Sequence, residues 1–195
     1  MKQRFVTVLC LLSLLTLTAC GTQEAPSETT PTIRPAAFSE DAQALLGLLN
    51  DTEEALVFFD YTVEEPIRSV STEVWKYEDG SWERSGHVFG NIEPGEYRMG
   101  FRLTPSSYEI FDISETGHNT YTYQDTVDLI GCAAAFSTQL GDPREIVCGE
   151  EIPLWLKAGS AGGSIDGSLE DFRSVGCTAG LAVTITFSDT PIDQP

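Results

Sequence analysis

The two histidines, His87 and His118, are the residues of this sequence best suited to acid–base chemistry. A nucleophilic centre of the Ser/His/Asp or Cys/His kind needs one of them beside an activated hydroxyl or thiol. The sequence contains no Gly-X-Ser-X-Gly motif and no recognisable partner signature around a cysteine. We therefore expect both histidines to be surface turn or strand residues. No catalytic residue is predicted, and the sequence leans against an enzyme.

Pairs of acidic residues are a second candidate for chemistry, because a glycosidase needs two carboxylates across a cleft. With 30 acidic residues among 195, however, adjacent acids arise without a functional reason. Segment 125–128 lacks the spacing of an EF-hand calcium loop, and the glycines of 159–163 lack a Gly-Lys-Ser/Thr motif. We predict no metal and no cofactor. The candidate pairs are Glu64/Glu65, Asp125/Asp128, Glu150/Glu151 and Glu170/Asp171.

Three aromatic residues, Trp75, Tyr77 and Trp82, surround the dipeptide Asp79-Gly80, which strongly indicates a type I′ β-hairpin. Pairing outward from this turn sends all three rings to one face of the sheet. They are candidate ligand contacts, because aromatic faces on a β-sheet can stack on sugar rings. The alternative, which we favour, is that this face belongs to the core. The predicted cross-strand pairs are Glu78–Ser81, Tyr77–Trp82, Lys76–Glu83 and Trp75–Arg84.

Three cysteines, Cys132, Cys148 and Cys177, lie in the second half of the chain. An odd number in an exported protein allows one disulfide and one remaining thiol. A hairpin folded about residues 140–143 would set Cys132 opposite Cys148, within disulfide range. The sequence leaves two alternatives open, this bridge or three buried free thiols. The absence of a Cys-X-X-Cys motif argues against a redox motif or a zinc knuckle.

The elements that must position these residues are mainly strands. Ser39 is a candidate N-cap for one short helix over about 40–50, with Glu40 and Asp41 in its first turn. Beyond it, alternating and β-branched segments are separated by turn residues, and the clearest of them is 96–103. The pattern predicts a mainly β protein, an antiparallel β-sandwich of about seven to nine strands with one short N-terminal helix. We expect a single domain over 38–190 and a short tail over 191–195.

The N-terminus carries a targeting signal. Lys2 and Arg4 precede an apolar run over 5–17, which is too short for a transmembrane helix of ~20 residues. The sequence Leu17-Thr18-Ala19-Cys20 follows directly. It resembles the lipobox of bacterial lipoproteins, in which an aliphatic residue and two small residues precede an invariant cysteine. The alternative is a secretory signal whose cleavage site happens to contain a cysteine.

The resemblance implies that residues 1–19 are a signal peptide and that Cys20 receives a diacylglyceryl thioether. Two or three acyl chains give stable membrane attachment. The Pro-rich segment 20–37 then predicts a flexible tether. This anchor predicts an extracytoplasmic address on a bacterial cell membrane or outer membrane, because Gly21 is not the aspartate associated with inner-membrane retention in Gram-negative cells.

The net charge of the chain limits the classes of partner that it can bind. The formal net charge is −19, and removal of the signal with Lys2 and Arg4 makes it about two units more negative. Such a surface argues against nucleic acid as a partner. The leading hypothesis is a non-enzymatic binding or assembly module of the cell envelope, with a polysaccharide or an envelope protein as partner. The alternatives are a glycan hydrolase that uses paired carboxylates and a purely structural lipoprotein.

Overall fold

The computed structural model describes residues 30–49 and 54–193, which form two antiparallel sheets in a sandwich-like arrangement. The mainly β class and the single short N-terminal helix are confirmed, but the sheets contain eleven strands rather than seven to nine. The signal segment 1–19, Cys20 and most of the predicted tether lie outside the described residues. One sheet has the strand order β7-β6-β5-β2-β1-β9, and the other has the order β4-β3-β11-β10-β8.

The strands alternate with short connections along most of the chain. In sequence order the elements are β1 (Thr32–Pro35), α1 (Glu40–Leu49), β2 (Ala55–Val63), β3 (Ser69–Glu78), β4 (Ser81–Asn91), β5 (Gly95–Leu103), β6 (Tyr108–Ser114), β7 (Gly117–Tyr123), β8 (Ala134–Gln139), β9 (Arg144–Glu145), β10 (Glu151–Ser160) and β11 (Ala179–Ser188). A 3₁₀ turn, Phe172–Ser174, lies between β10 and β11.

The core lies between the two sheets, because each strand sends every second side chain inward. Phe101 of β5 and Trp155 of β10 meet across this space with ring centroids 5.1 Å apart. Val183 of β11 and Met99 of β5 are fully buried in the same core. The alternation predicted for 96–103 is therefore confirmed for its inward residues Met99, Phe101 and Leu103.

The β3–β4 hairpin forms as predicted. Asp79 and Gly80 both have positive φ angles, 52° and 89°, as a type I′ turn requires. All four predicted cross-strand pairs occur, from Glu78–Ser81 to Trp75–Arg84. A bulge between Val74 and Trp75 then shifts the register. Local turn chemistry was sufficient to predict this register because the turn joins the two strands directly.

The predicted tether boundary requires a correction, because β1 lies within segment 20–37. Ile33 pairs with Tyr61 of β2 on one side and with Arg144 of β9 on the other. Its side chain is 0% exposed. The folded domain therefore begins before Phe38. At the other end, Asn91 holds the predicted tail by two hydrogen bonds with the backbone of Ile192.

The hairpin predicted about residues 140–143 is wrong. β8 pairs with β10 in the five-stranded sheet, whereas β9 pairs with β1 in the other sheet. Cys132 lies next to Ala133, which binds Ser160 at one end of β10, and Gly149 after Cys148 binds Phe187 near the opposite end of β11.

The cysteines are consequently far apart. Ala179 pairs with Gly159, so the distance along β11 from Ala179 to Phe187 separates Cys132 from Cys148 by roughly 26 Å at ~3.3 Å per residue. A disulfide needs Cα atoms within about 7 Å. Cys132, Cys148 and Cys177 are free thiols, so the predicted Cys132–Cys148 bridge is absent. Only Cys177 is buried, and its burial raises the pKa of the thiol.

The helix α1 has the predicted bounds and cap. The backbone N–H of Ala42 donates to Oγ of Ser39 over 3.3 Å, as an N-cap should. Leu45 and Leu48 are 64% and 82% exposed, so these two side chains do not pack on the sheet. Phe38, just before the helix, meets Phe58 of β2 edge to face at 5.5 Å. No helix among the described residues is long and apolar enough to cross a membrane.

Candidate functional site

The predicted contact residues Trp75, Tyr77 and Trp82 do share one face, which is the outer face of the five-stranded sheet. They are partly buried; Trp75 and Trp82 pack against Phe172 of the 3₁₀ turn, and Tyr77 packs against Trp82. The ring centroids of Trp82 and Phe172 are 5.1 Å apart, and those of Tyr77 and Trp82 are 5.4 Å apart. We call Trp75, Tyr77, Trp82 and Phe172 the outer aromatic cluster. The structure thus brings the predicted residues together, but beneath a covering segment.

Contacts within the protein explain the positions of most rings of the outer aromatic cluster. Phe172 covers the tryptophans, and the Arg173 guanidinium lies 4.3 Å from the Trp75 ring centroid. Beneath Trp82, a Cβ atom at Gly180 would lie 2.7 Å from the indole ring, so the missing side chain of Gly180 makes the space for it. The ligand role of these rings stays a prediction. Their burial favours the alternative, a second small core on the outer face.

The two indole N–H groups of this cluster differ. Trp75 Nε1 donates to Thr184 Oγ1 over 3.1 Å, whereas Trp82 Nε1 is buried without an acceptor. An unsatisfied buried donor costs about 1–3 kcal/mol, so Trp82→Phe removes a cost together with some packing. Trp75→Phe removes a satisfied hydrogen bond to Thr184. We expect Trp75→Phe to lower the free energy of unfolding by about 1–2 kcal/mol more than Trp82→Phe.

Urea unfolding of the full chain measures this difference. The two variants make the same chemical change within one cluster, so each serves as the control for the other. If Trp82→Phe proved the more destabilising of the two, the indole N–H of Trp82 would have to have a partner that the structure does not show.

A Ser–His pair also lies on the outer face of the five-stranded sheet. Ser71 Oγ is 2.7 Å from His87 Nε2. Glu73 Oε1 is 3.9 Å from the same nitrogen, and it is bound by Arg84 at 2.6 Å. In a catalytic triad the acid orients histidine from the other ring nitrogen. The arrangement therefore lacks the geometry of a triad. Burial and the nearby charge of Arg84 lower the pKa of His87. His118 is an exposed residue of β7.

Several members of the predicted carboxylate pairs form ion pairs instead of facing each other. Glu65 pairs with Arg68, Glu170 with Arg144, and Glu151 with Arg173. Asp125 accepts hydrogen bonds from Lys76 at 2.8 Å and from Ser85 at 2.6 Å. Burial acts to raise the pKa of Asp125, but these bonds hold it below its ordinary value. Within the described part of the chain, no group of three or more His, Cys, Asp or Glu residues could hold a metal ion.

A concave site lies elsewhere, at the corner between the two sheets. We call it the inter-sheet cleft; it has a volume of about 520 Å³, within the range of small-molecule sites. The six-stranded sheet contributes inward-facing side chains of β2, β5, β6 and β7, and β3 and β4 form the opposite wall. The lining includes Tyr61, Val70, Thr72, Val88, Asn91, Ile92, Tyr97, Asp112, His118, Asn119 and Tyr121.

Asp112 is the unusual residue of the inter-sheet cleft. It follows Tyr108 and Ile110 at the inward positions of β6, where a hydrophobic residue is expected. Burial raises the pKa of its carboxyl above the ordinary value. It lies close enough to Tyr61 and Tyr121 that its charge raises the pKa of both phenols, after the larger effect of their burial. Tyr61 in turn stacks on Tyr97, with centroids 5.6 Å apart.

Comparison with protein-family models, with curated proteins and with solved structures gives no match to this chain. The candidate site is therefore argued from its own geometry. The sequence analysis did not select Asp112, Tyr61, Tyr97 or Tyr121. One signal for the site was visible, namely a carboxylate at an inward position of the strand 108–113. The contact between strands of both sheets at this corner could not be predicted from the sequence.

Proposed function

We propose that this protein is a lipid-anchored, extracytoplasmic lipoprotein of the bacterial cell envelope that acts as a non-enzymatic binding module. The lipobox-like sequence ending at Cys20 supports the anchor. The inter-sheet cleft supports the binding role, and its ligand site consists of the tyrosines around Asp112. This cleft is the single observation that carries the proposal, because it is a concave site lined by aromatic, aliphatic and polar side chains in which Asp112 is the one carboxylate.

The cleft supports a binding protein better than a glycan hydrolase. Among the described residues that line it, Asp112 is the one carboxylate, whereas glycoside hydrolysis by the usual mechanism needs two. The pair Ser71–His87 lies on the outer face of the sheet, whereas the neighbouring Val70, Thr72 and Val88 line the cleft. Binding without chemistry is therefore the simpler function for this site.

The anchor and the cleft are compatible in space. β1 begins at Thr32, so residues 21–31 separate Cys20 from the sheet and reach at most about 36 Å when extended. Thr30 lines the same surface depression as Tyr61 and Tyr97. The segment that leads to the proposed anchor therefore joins the described residues near Tyr61 and Tyr97.

Substitution of Cys20 tests the anchor. In full-length protein expressed in a bacterial host, we expect Cys20→Ala to abolish incorporation of radiolabelled palmitate and to shift the protein out of the membrane fraction. Cys148→Ala is the matched control, because Cys148 is an exposed thiol of the folded domain. It should remain acylated and membrane-bound. Acylation and membrane attachment that persist in Cys20→Ala would refute the anchor.

A further inference from the structure

Asp112 is a half-buried acid that has no basic partner among the described residues. The other partly buried acids of the two sheets have basic partners: Asp60 binds Arg98 at 2.6 Å, Asp125 binds Lys76 at 2.8 Å, and Glu151 binds Arg173. None of the ion pairs among the described residues includes Asp112. Removing a carboxylate from water is costly unless a positive charge compensates for it. The chain itself provides no such charge at this position.

The walls around Asp112 favour a particular kind of cation. Tyr61, Tyr97 and Tyr121 project from β2, β5 and β7 of the six-stranded sheet, and aromatic rings attract organic cations. Tyr97 donates its hydroxyl proton to the carbonyl of Glu93 over 2.9 Å, which fixes the position of that ring. A metal ion would need several oxygen or nitrogen ligands at short distance. One carboxylate among tyrosines is better suited to a diffuse positive charge.

The opposite wall of the cleft carries, among its described residues, no positive charge that could pair with Asp112 in place of such a ligand. It is formed by Val70, Thr72, Val88, Asn91 and Ile92, and the described lining of the cleft contains no lysine or arginine. The formal charge of −19 also raises the local concentration of cations around the whole protein.

We propose that the inter-sheet cleft binds an organic ammonium ion, with Asp112 as its counter-ion and Tyr61, Tyr97 and Tyr121 as its aromatic surroundings. This inference rests on the proposed binding function and names its ligand class. The ammonium group belongs either to a free small molecule or to a lipid headgroup at the membrane to which the protein is anchored. Both sources present the same chemistry to Asp112.

The first test compares choline with its uncharged carbon isostere, 3,3-dimethylbutan-1-ol, by calorimetry on the full-length protein in detergent. We expect saturable binding of choline and at least about tenfold weaker binding of the isostere, since the two differ only in charge. Asp112→Asn should lower the affinity for choline by about tenfold or more. Asp142→Asn is the matched control, because it removes the same charge from an exposed turn.

Thermal unfolding supplies a readout that does not depend on calorimetry. Asp112→Asn should fold, and without ligand it should be at least as stable as the wild type, because it removes an uncompensated buried charge. Saturating choline should raise the melting temperature of the wild type and of Asp142→Asn, but not that of Asp112→Asn. Tyr121→Ala, at the edge of the cleft, should weaken choline binding while leaving the fold intact.

The pH dependence reports on the same carboxyl. Choline keeps its charge at every pH, so its affinity should fall as the pH drops through the raised pKa of Asp112 and the carboxyl becomes neutral. The other titratable groups of the cleft are Tyr61, Tyr97, Tyr121 and His118, and the wall formed by β3 and β4 contributes none. Subtracting the profile of Asp112→Asn removes the contribution of these groups.

The outcomes separate the ligand class from the binding function. Equal affinity for choline and its isostere, or unchanged choline affinity in Asp112→Asn, would overturn the ammonium proposal. Binding of a neutral saccharide that was lost in Tyr121→Ala would also overturn the ammonium proposal. The cleft would then remain a binding site. Binding of phosphatidylcholine vesicles without binding of free choline would identify the headgroup as the source. Absence of binding for choline, vesicles and neutral saccharides alike would end both proposals.

Discussion

Deletion of residues 1–37 is expected to unfold the domain, whereas deletion of residues 1–29 is expected to leave it folded. The difference is β1, which lies between β2 and β9 in the six-stranded sheet. Its loss would leave the backbone of β2 without a partner on one side and detach β9 from the sheet. It would also remove Ile33, which is 0% exposed. Unpaired buried backbone groups and a lost core residue together exceed the few kcal/mol by which small domains are stable.

Far-ultraviolet circular dichroism and urea unfolding of both deletion proteins measure this effect. Ile33→Ala in the full chain isolates the side-chain contribution and should lower the free energy of unfolding by about 2–4 kcal/mol. Arg34→Ala is the matched control, because the neighbouring side chain is exposed. If the protein beginning at Phe38 retained a cooperative transition like that of the protein beginning at Thr30, β1 would not be part of the stable domain.

The case of β1 explains which parts of the fold the sequence could predict. The β3–β4 register was predictable because Asp79-Gly80 determines the turn and the pairs follow from it. β1 has four residues, ends at Pro35 and pairs with strands more than 20 positions away, so no local pattern marks it. The supposed hairpin about 140–143 failed for the same reason. Its two arms join different sheets, and only long-range pairing decides between them.

The site shows the same division. The shared face of Trp75, Tyr77 and Trp82 could be predicted from a two-residue turn, but the segment that covers this face lies some 90 positions later, at Phe172. Exposure depends on such coverage, so the sequence could not separate a platform from a core. Asp112 could be recognised as an acid at an inward strand position. Its lack of a cationic partner depends on the whole tertiary structure.

Phe172 is the residue whose loss should most change the outer aromatic cluster. Its side chain is 1% exposed, and it contacts both Trp75 and Trp82. We expect Phe172→Ala to lower the free energy of unfolding by about 3–5 kcal/mol, because a buried phenylalanine is lost and the segment of the 3₁₀ turn loses its main contact with the sheet. Phe89→Ala is the matched control, since Phe89 is 55% exposed and should change stability by less than about 0.5 kcal/mol.

Tryptophan emission distinguishes local uncovering from global loss of packing in Phe172→Ala. Trp75 and Trp82 should become more exposed, which shifts the emission to longer wavelength, while Trp155 remains buried against Phe101 in the core between the sheets. A red shift below the unfolding transition would therefore show that the 3₁₀ segment keeps the outer aromatic cluster from solvent. An unshifted spectrum with wild-type stability would mean that the cluster is already open, and a ligand role for Trp75, Tyr77 and Trp82 would again be favoured.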